Sequence, residues 1–143
     1  MTVNQISVFM ENKEGRVKNA ISTLGKANIN IRALSLADTS KYGILRLIVS
    51  DNTKAIEVLE KNGFLVKENE VIIVKINDEP NSLNSVLQIL YLEKINVEYL
   101  YAFISNKIDQ ALVVMRLENM EKGERLLKDN KADLLTLEEI EKL

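Results

Sequence analysis

Two short stretches have the residue types and spacing of a small-anion site. Glu11-Asn12-Lys13-Glu14-Gly15-Arg16-Val17 is a polar, glycine-bearing turn between an apolar strand-like run and an amphipathic helix, and Asp78-Glu79-Pro80-Asn81-Ser82-Leu83 is a second version of it. Each lies where a strand hands over to a helix N-terminus, whose unpaired backbone N–H groups and positive dipole end can hold a carboxylate. One isolated turn of this kind usually does no more than connect two elements. Its recurrence is what singles it out.

Absences narrow the chemistry further. The chain has no histidine and no cysteine, which removes disulfides, thiol nucleophiles, Ser-His and Cys-His catalysis and the usual zinc ligand sets. No P-loop and no GxGxxG is present, and Glu and Lys fall mostly on helix faces, as in Glu57-Val58-Leu59-Glu60-Lys61, where solvation accounts for them. Catalytic residues, metal ligands and cofactors are therefore all expected to be none. A net charge of −2 over 143 residues gives no electrostatic footprint for nucleic acid or an anionic membrane. No apolar run approaches the roughly 18 to 20 residues of a membrane span. The start, Met1-Thr2-Val3-Asn4-Gln5, lacks the basic-then-apolar order of a signal peptide. The expected location is the cytoplasm.

The elements that must position the turns follow from hydrophobic period. Residues 3 to 10 alternate, with Ile6, Val8 and Met10 on one face. Val17, Ala20, Ile21 and Leu24 fall at helical spacing within residues 16 to 27. Asn28-Ile29-Asn30-Ile31 opens a second strand that runs to about Ala37, residues 38 to 43 read as a hairpin loop, and Ile44 to Val49 return antiparallel. A helix over 52 to 62 ends at Asn62-Gly63, and Phe64 to Lys67 close a βαββαβ unit.

The same order then repeats. Val71 to Ile76 read as a buried strand, and Leu83, Val86, Leu87 and Leu90 as a helical stripe. Residues 95 to 104 and 110 to 117 form a hairpin around Ser105-Asn106-Lys107, followed by a helix at Leu126-Leu127 and a strand at Ala132 to Thr136. Asn12 with Asp78, Val17 with Leu83, Leu24 with Leu90, and Asn30 with Asn96 are each 66 apart. Asn52 with Asn119 and Leu59 with Leu126 are 67 apart, implying one inserted residue in the second hairpin. The chain is read as two modules, 1–69 and 70–143, joined near Glu68-Asn69-Glu70. The tail, Leu137 to Leu143, has near-helical spacing and reads as a packing cap or a partner contact.

At Glu11 to Val17 followed by Ala27-Asn28-Ile29-Asn30-Ile31, and again in the second copy, the sequence resembles the ACT domain, a small βαββαβ module that binds amino acids in regulatory proteins. The whole chain is similar to tandem ACT proteins without a catalytic domain. The resemblance implies an α+β fold of two ferredoxin-like βαββαβ modules pairing side by side into an eight-stranded antiparallel sheet with helices on one face. Ligand would sit at the seam, between the turn of one module and the second strand of the other. It implies ligand-binding roles for Asn12, Lys13, Glu14, Gly15, Arg16, Val17, Asn30 and Ile31, and for Asp78, Pro80, Asn81, Ser82, Leu83, Asn96 and Val97. Side-chain oxygens of Asn12, Asn30, Asp78 and Asn96 would accept from an ammonium group and the helix N-termini would donate to a carboxylate.

The family turn ends in Pro-Gly, and neither copy has both: Glu14-Gly15 keeps the glycine, Pro80-Asn81 the proline. Two unequal sites are expected. Tyr99, Tyr101 and Phe103 alternate along one strand face, either lining the seam or covering a half-buried sheet. The expected function is regulatory sensing of an amino acid or related small carboxylate by a homodimer that acts on a metabolic enzyme or regulator, with no nucleic acid and no membrane as partner. The alternative is a structural or interaction subunit of a metabolic enzyme complex that binds no ligand.

Overall fold

A computed structural model describes residues 2–38 and 40–143. The order of elements is β1 (Val3–Glu11), α1 (Arg16–Lys26), β2 (Ile31–Asp38), β3 (Tyr42–Val49), α2 (Asn52–Lys61), β4 (Leu65–Asn77), α3 (Ser82–Leu92), β5 (Val97–Ile104), β6 (Gln110–Leu117), α4 (Met120–Asp129), β7 (Asp133–Leu134) and α5 (Leu137–Glu141). The chain divides into two compact units, Asn4–Asn69 and Glu70–Leu143, the latter together with Thr2 and Val3. Of the expected loop at residues 38 to 43, Thr39 lies outside the described residues, and Tyr42 and Gly43 belong to β3.

In the first module the antiparallel strands run β2-β3-β1-β4. Alternation sends Ile6, Val8 and Met10 to the helix side, where they meet Leu45 and Leu47 of β3, Ala20 and Leu24 of α1, and Ala55 and Leu59 of α2. Each fully buried Ile, Val or Leu side chain of this set contributes about 1.5–3 kcal/mol. The second module repeats the order as β5-β6-β4-β7, with Ile72, Val74, Met115, Leu117, Val86, Leu90 and Leu127 in the matching core. The fold is α+β with two βαββαβ modules, as expected.

Two details differ from the sequence reading. The strands expected at Phe64–Lys67 and Val71–Ile76 are one strand, β4, so seven strands among the described residues fill eight strand roles. The polar run Glu68-Asn69-Glu70 is not a break, because the backbone groups that make a ladder are the same whatever the side chain. The register after the hairpin also differs. The helix caps Asp51 and Asn119, each accepting from the backbone N–H three residues on, are 68 apart. Buried Leu59 and Leu127 are 68 apart as well. The second hairpin turn thus holds two extra residues, not one, and Asn119 corresponds to Asp51 rather than to Asn52.

The tail folds as α5, opened by a capping box in which the Thr136 hydroxyl accepts from Glu139 N–H while the Glu139 carboxylate accepts from Thr136 N–H. Lys75 Nζ lies 2.8 Å from Glu139 Oε1 and 2.9 Å from Asp133 Oδ1, and Ile140 is buried. The hydrogen bond from Lys75 first, then that from Thr136 N–H, pulls the Glu139 carboxyl down to about 2. Burial opposes the charge on Lys75, but the hydrogen bonds to Glu139 and Asp133 outweigh it and its pKa is raised. The Glu139 contribution is therefore complete above its ordinary value of 4.5 and disappears as pH falls toward about 2. Amide exchange of residues 136–143 should accelerate across that window, and in Glu139→Gln it should be fast already at neutral pH. Unchanged exchange in the variant would show that the tail is held by packing alone.

Candidate functional site: the two strand-to-helix turns

The two turns have the same backbone wiring. In the first, Asn12 N–H donates to Lys41 O (3.0 Å), Lys13 N–H to Glu11 O (2.9 Å), Arg16 N–H to Lys13 O (3.3 Å) and Asn19 N–H to Gly15 O (2.8 Å). In the second, Asp78 N–H donates to Asp109 O (2.8 Å), Glu79 to Asn77 O (2.9 Å), Ser82 to Glu79 O (3.4 Å) and Ser85 to Asn81 O (2.9 Å). Gly15 and Asn81 occupy the N-cap positions with φ of 80° and 68°. Glycine takes that left-handed backbone at no steric cost, and asparagine tolerates it better than most residues. Asn81 therefore stands in for the missing glycine, as the sequence suggested.

These two helices are also the ones left open. α2, α4 and α5 are each capped by a side chain, from Asp51, Asn119 and Thr136. No side chain caps α1 or α3. Arg16 N–H and Ser82 N–H are taken by the Lys13 and Glu79 carbonyls, whereas the next first-turn N–H groups, of Val17 and Lys18 and of Leu83 and Asn84, have no partner among the described turn hydrogen bonds and carry the positive end of the helix dipole behind them. A carboxylate fits such a terminus.

The acceptors expected to accompany them are exposed: Asn12, Asn30, Asp78 and Asn96. The main chain of Asn30 is tied to Ser50, with Asn30 N–H to Ser50 Oγ and Ser50 N–H to Asn30 O both 3.0 Å. Asn96 O accepts likewise from Glu118 N–H at 3.0 Å. The described hydrogen bonds use the backbone of these four residues and not their side-chain oxygens, so neither capping nor turn formation occupies them. Lys13 pairs with Glu11 at 2.7 Å, which, with a weaker effect from Arg16, lowers the Glu11 carboxyl. Glu14 and Pro80 are exposed, Val17, Ser82 and Leu83 are half-buried at the turns, and Ile31 and Val97 are half-buried at the starts of β2 and β5.

Within one module the turn and the second-strand asparagine are not brought together. Glu11 is level with Tyr42, and Gly43 with Asp38, whereas Ile31 is level with Val49 at the other end of the sheet. The second module repeats this, with Asn77 opposite Gln110 and Val97 opposite Leu117. Eight residues of β2 separate the two ends by roughly 25 Å at ~3.4 Å per residue.

The surfaces beside the turns differ. Next to the first is a broad, shallow depression formed by Lys13, Gly15, Val17, Lys18, Ile21 and Ser22. The second adjoins a polar hollow of about 390 Å³ that includes Asn77, Glu79, Ser82, Ser85, Lys131 and Asp133. Tyr99, Tyr101 and Phe103 pair with Arg116, Val114 and Leu112 on the sheet face away from α3 and α4. Tyr101 is buried there. Sequence reasoning passed over Ser50, the partner of Asn30, and the cations Lys18 and Lys26 of α1. A stripe of cations along α1 with no carboxylate interleaved was the available signal.

A family model described as an ACT domain pair matches residues 1–143. Among solved structures, protein BT0572 from Bacteroides thetaiotaomicron is 40% identical, with a TM-score of 0.92 over 100% of this chain and 98% of that one. The regulatory subunit of aspartate kinase from Thermus thermophilus, in a ligand-free form, has a TM-score of 0.63 at 14% identity over 88% of this chain and 91% of that one. Its Thermus flavus equivalent has a TM-score of 0.62 at 16% identity, covering 88% and 90%. The last two likenesses are of fold. No curated protein matches the sequence. Among the described residues no helix is long and apolar enough to cross a membrane.

Proposed function

The chain belongs to the ACT domain pair family, and from that premise we propose that it is a regulatory binding protein, not an enzyme, that senses an amino acid or related small carboxylate. The observation that carries this reading is the pair of helix N-termini at Gly15 and Asn81 that no side chain caps, beside Asn12 and Asp78, whose side chains take part in no hydrogen bond found among the described residues. In this reading residues 1–69 and 70–143 are the two binding halves. The turn binds the ligand carboxylate through Gly15, Arg16 and Val17 or Asn81, Ser82 and Leu83. Its ammonium is held by Asn12 or Asp78 and by the strand-opening asparagine of a facing module.

The separation of turn and asparagine within a module requires that facing module. Strands β2 and β5 are each hydrogen-bonded on one side only, and their helix-side residues Leu34, Leu36, Leu100 and Ile104 are exposed. An antiparallel neighbour along such an edge would set its own turn against Asn30 or Asn96. We assign that neighbour to a second copy of the chain, giving a homodimer. Ligand binding then biases seam packing, and a metabolic enzyme or regulator in the cytoplasm reads the difference, since a ligand shifts only those states it binds unequally. The aspartate kinase regulatory subunits that share the fold supply the precedent for an enzyme partner.

A thermal-shift screen of the common amino acids at millimolar concentration tests the reading. The active ligand should stabilise by roughly 2.7 kcal/mol at 100 times its dissociation constant, and the shift should vanish when Asn12, Asn30, Asp78 and Asn96 are replaced by alanine. A shift that survives those replacements would place the site elsewhere. No shift with any amino acid would favour the interaction-subunit reading.

A further inference from the structure

Beside the first amino-acid site, with which it shares Arg16, we propose that the flank of α1 in the first module is a binding site for a phosphate group. A concavity of about 220 Å³ there is lined by Arg16, Lys18 and Lys26 together with Asn19, Ser22 and Phe64, and by no carboxylate. The ion pairs found among the described residues involve none of these three cations. Three positive charges around one hollow, in a chain whose net charge is −2, repel one another until an anion neutralises them.

The donors are partly arranged in advance. The Arg16 guanidinium stands 4.5 Å from the centre of the Phe64 ring, and Phe64 is itself buried. Stacking on a fixed ring limits the rotamer freedom that anion binding would otherwise remove. Thr23 Oγ1 donates to Asn19 O and Asn62 Nδ2 to Val58 O, so those two groups are engaged. Ser22 and the Asn19 side chain stand beside the cations as further donors.

The fold does not require these cations. With helix and strand offsets of 66 and 68, the second module has Ser82, Asn84 and Leu92 where the first has Arg16, Lys18 and Lys26, and Ala132 for Phe64. Both modules nonetheless keep the same turn hydrogen bonds. The size selects a small ligand: about 220 Å³ is the room of roughly seven waters and lies below the ~300–1,000 Å³ of drug-sized pockets. An oxyanion with several charges and acceptors, as phosphate has, matches three cations and two neutral donors.

Titration calorimetry of the full chain with inorganic phosphate, pyrophosphate and glycerol phosphate, at constant ionic strength held with chloride, tests the proposal. Saturable binding is expected, weakened about tenfold in Lys18→Gln and in Lys26→Gln, two exposed positions where folding is not at risk. Tighter binding of the inorganic ions would assign a free ion, and tighter binding of glycerol phosphate a phosphomonoester. Heats that do not saturate, or affinities that the two variants leave unchanged, would overturn the proposal. The amino-acid thermal shift of Lys26→Gln should equal that of the parent, which separates failure here from failure of the amino-acid reading.

Discussion

Replacing Leu24 by alanine is expected to destabilise the protein by about 2–5 kcal/mol, lowering the melting temperature on the order of 10 °C. Leu24 is wholly buried in the core of the first module, where the inner stripe of α1 meets the helix-side residues of β1 and β3. The cost combines lost transfer energy with the cavity left where the surroundings cannot collapse. Leu24→Met, which nearly conserves volume, should cost less than about 1.5 kcal/mol. The turn at Gly15 is built from backbone hydrogen bonds that do not involve the Leu24 side chain. Amino-acid affinity measured well below the melting temperature should therefore be unchanged in Leu24→Ala. A cost below about 1 kcal/mol would mean that α1 is not held by this stripe.

The second large effect is expected at Gly123, whose replacement by leucine should cost about 3 kcal/mol through overpacking. A Cβ built on Gly123 collides with Cδ1 of Leu117, and Leu117 is itself completely buried. The first module explains the arrangement. Its counterparts, 68 residues earlier, are Ala55 in α2 and Val49 at the end of β3, both buried. One module thus fills the space with a larger strand residue and no helix side chain, the other with a smaller strand residue and a methyl group. Gly123→Ala combined with Leu117→Val should accordingly be more stable than the sum of the two single changes predicts, by about 0.5–3 kcal/mol. Thermal unfolding of the four proteins measures that coupling, and strict additivity would show that the two positions do not share one space.

Module order, helix positions and the duplicated turns were legible because each rests on local pattern. Ile6, Val8 and Met10 alternate, and Val17, Ala20 and Leu24 recur at helical spacing, so either face could be assigned without tertiary information. Matching by residue type failed in the second hairpin. Asn52 and Asn119 look alike, but the N-cap role belongs to Asp51 and Asn119, and a cap is defined by backbone position. The continuity of β4 through Glu68 to Glu70 was equally hidden, since ladder hydrogen bonding leaves no trace in side-chain polarity. Lys94 and Lys131 adopt positive φ of 54° and 60°, where Asn28 and Gly63 of the first module carry the expected residue types; lysine gives no such signal.

The candidate site was legible only as a list of residues. Gly15 and Asn81 could be placed at helix starts because the strand-to-helix transition is local, and the left-handed backbone follows from their types. That Asn12 and Asn30 lie at opposite ends of one sheet depends on β2 and β3 pairing with Ile31 level with Val49, which no local pattern encodes. In the proposed reading, the same separation calls for a second module to complete the site. It also makes the account specific about where ligand must be felt.

That location can be measured directly by following the backbone amide resonances of the labelled protein during titration with the amino acid that gives the largest thermal shift. The account predicts that the largest shifts fall on Gly15 to Lys18 and Asn81 to Asn84, together with Asn30 and Asn96, and that the two turns respond at different ligand concentrations. Shifts concentrated away from both helix N-termini would contradict it.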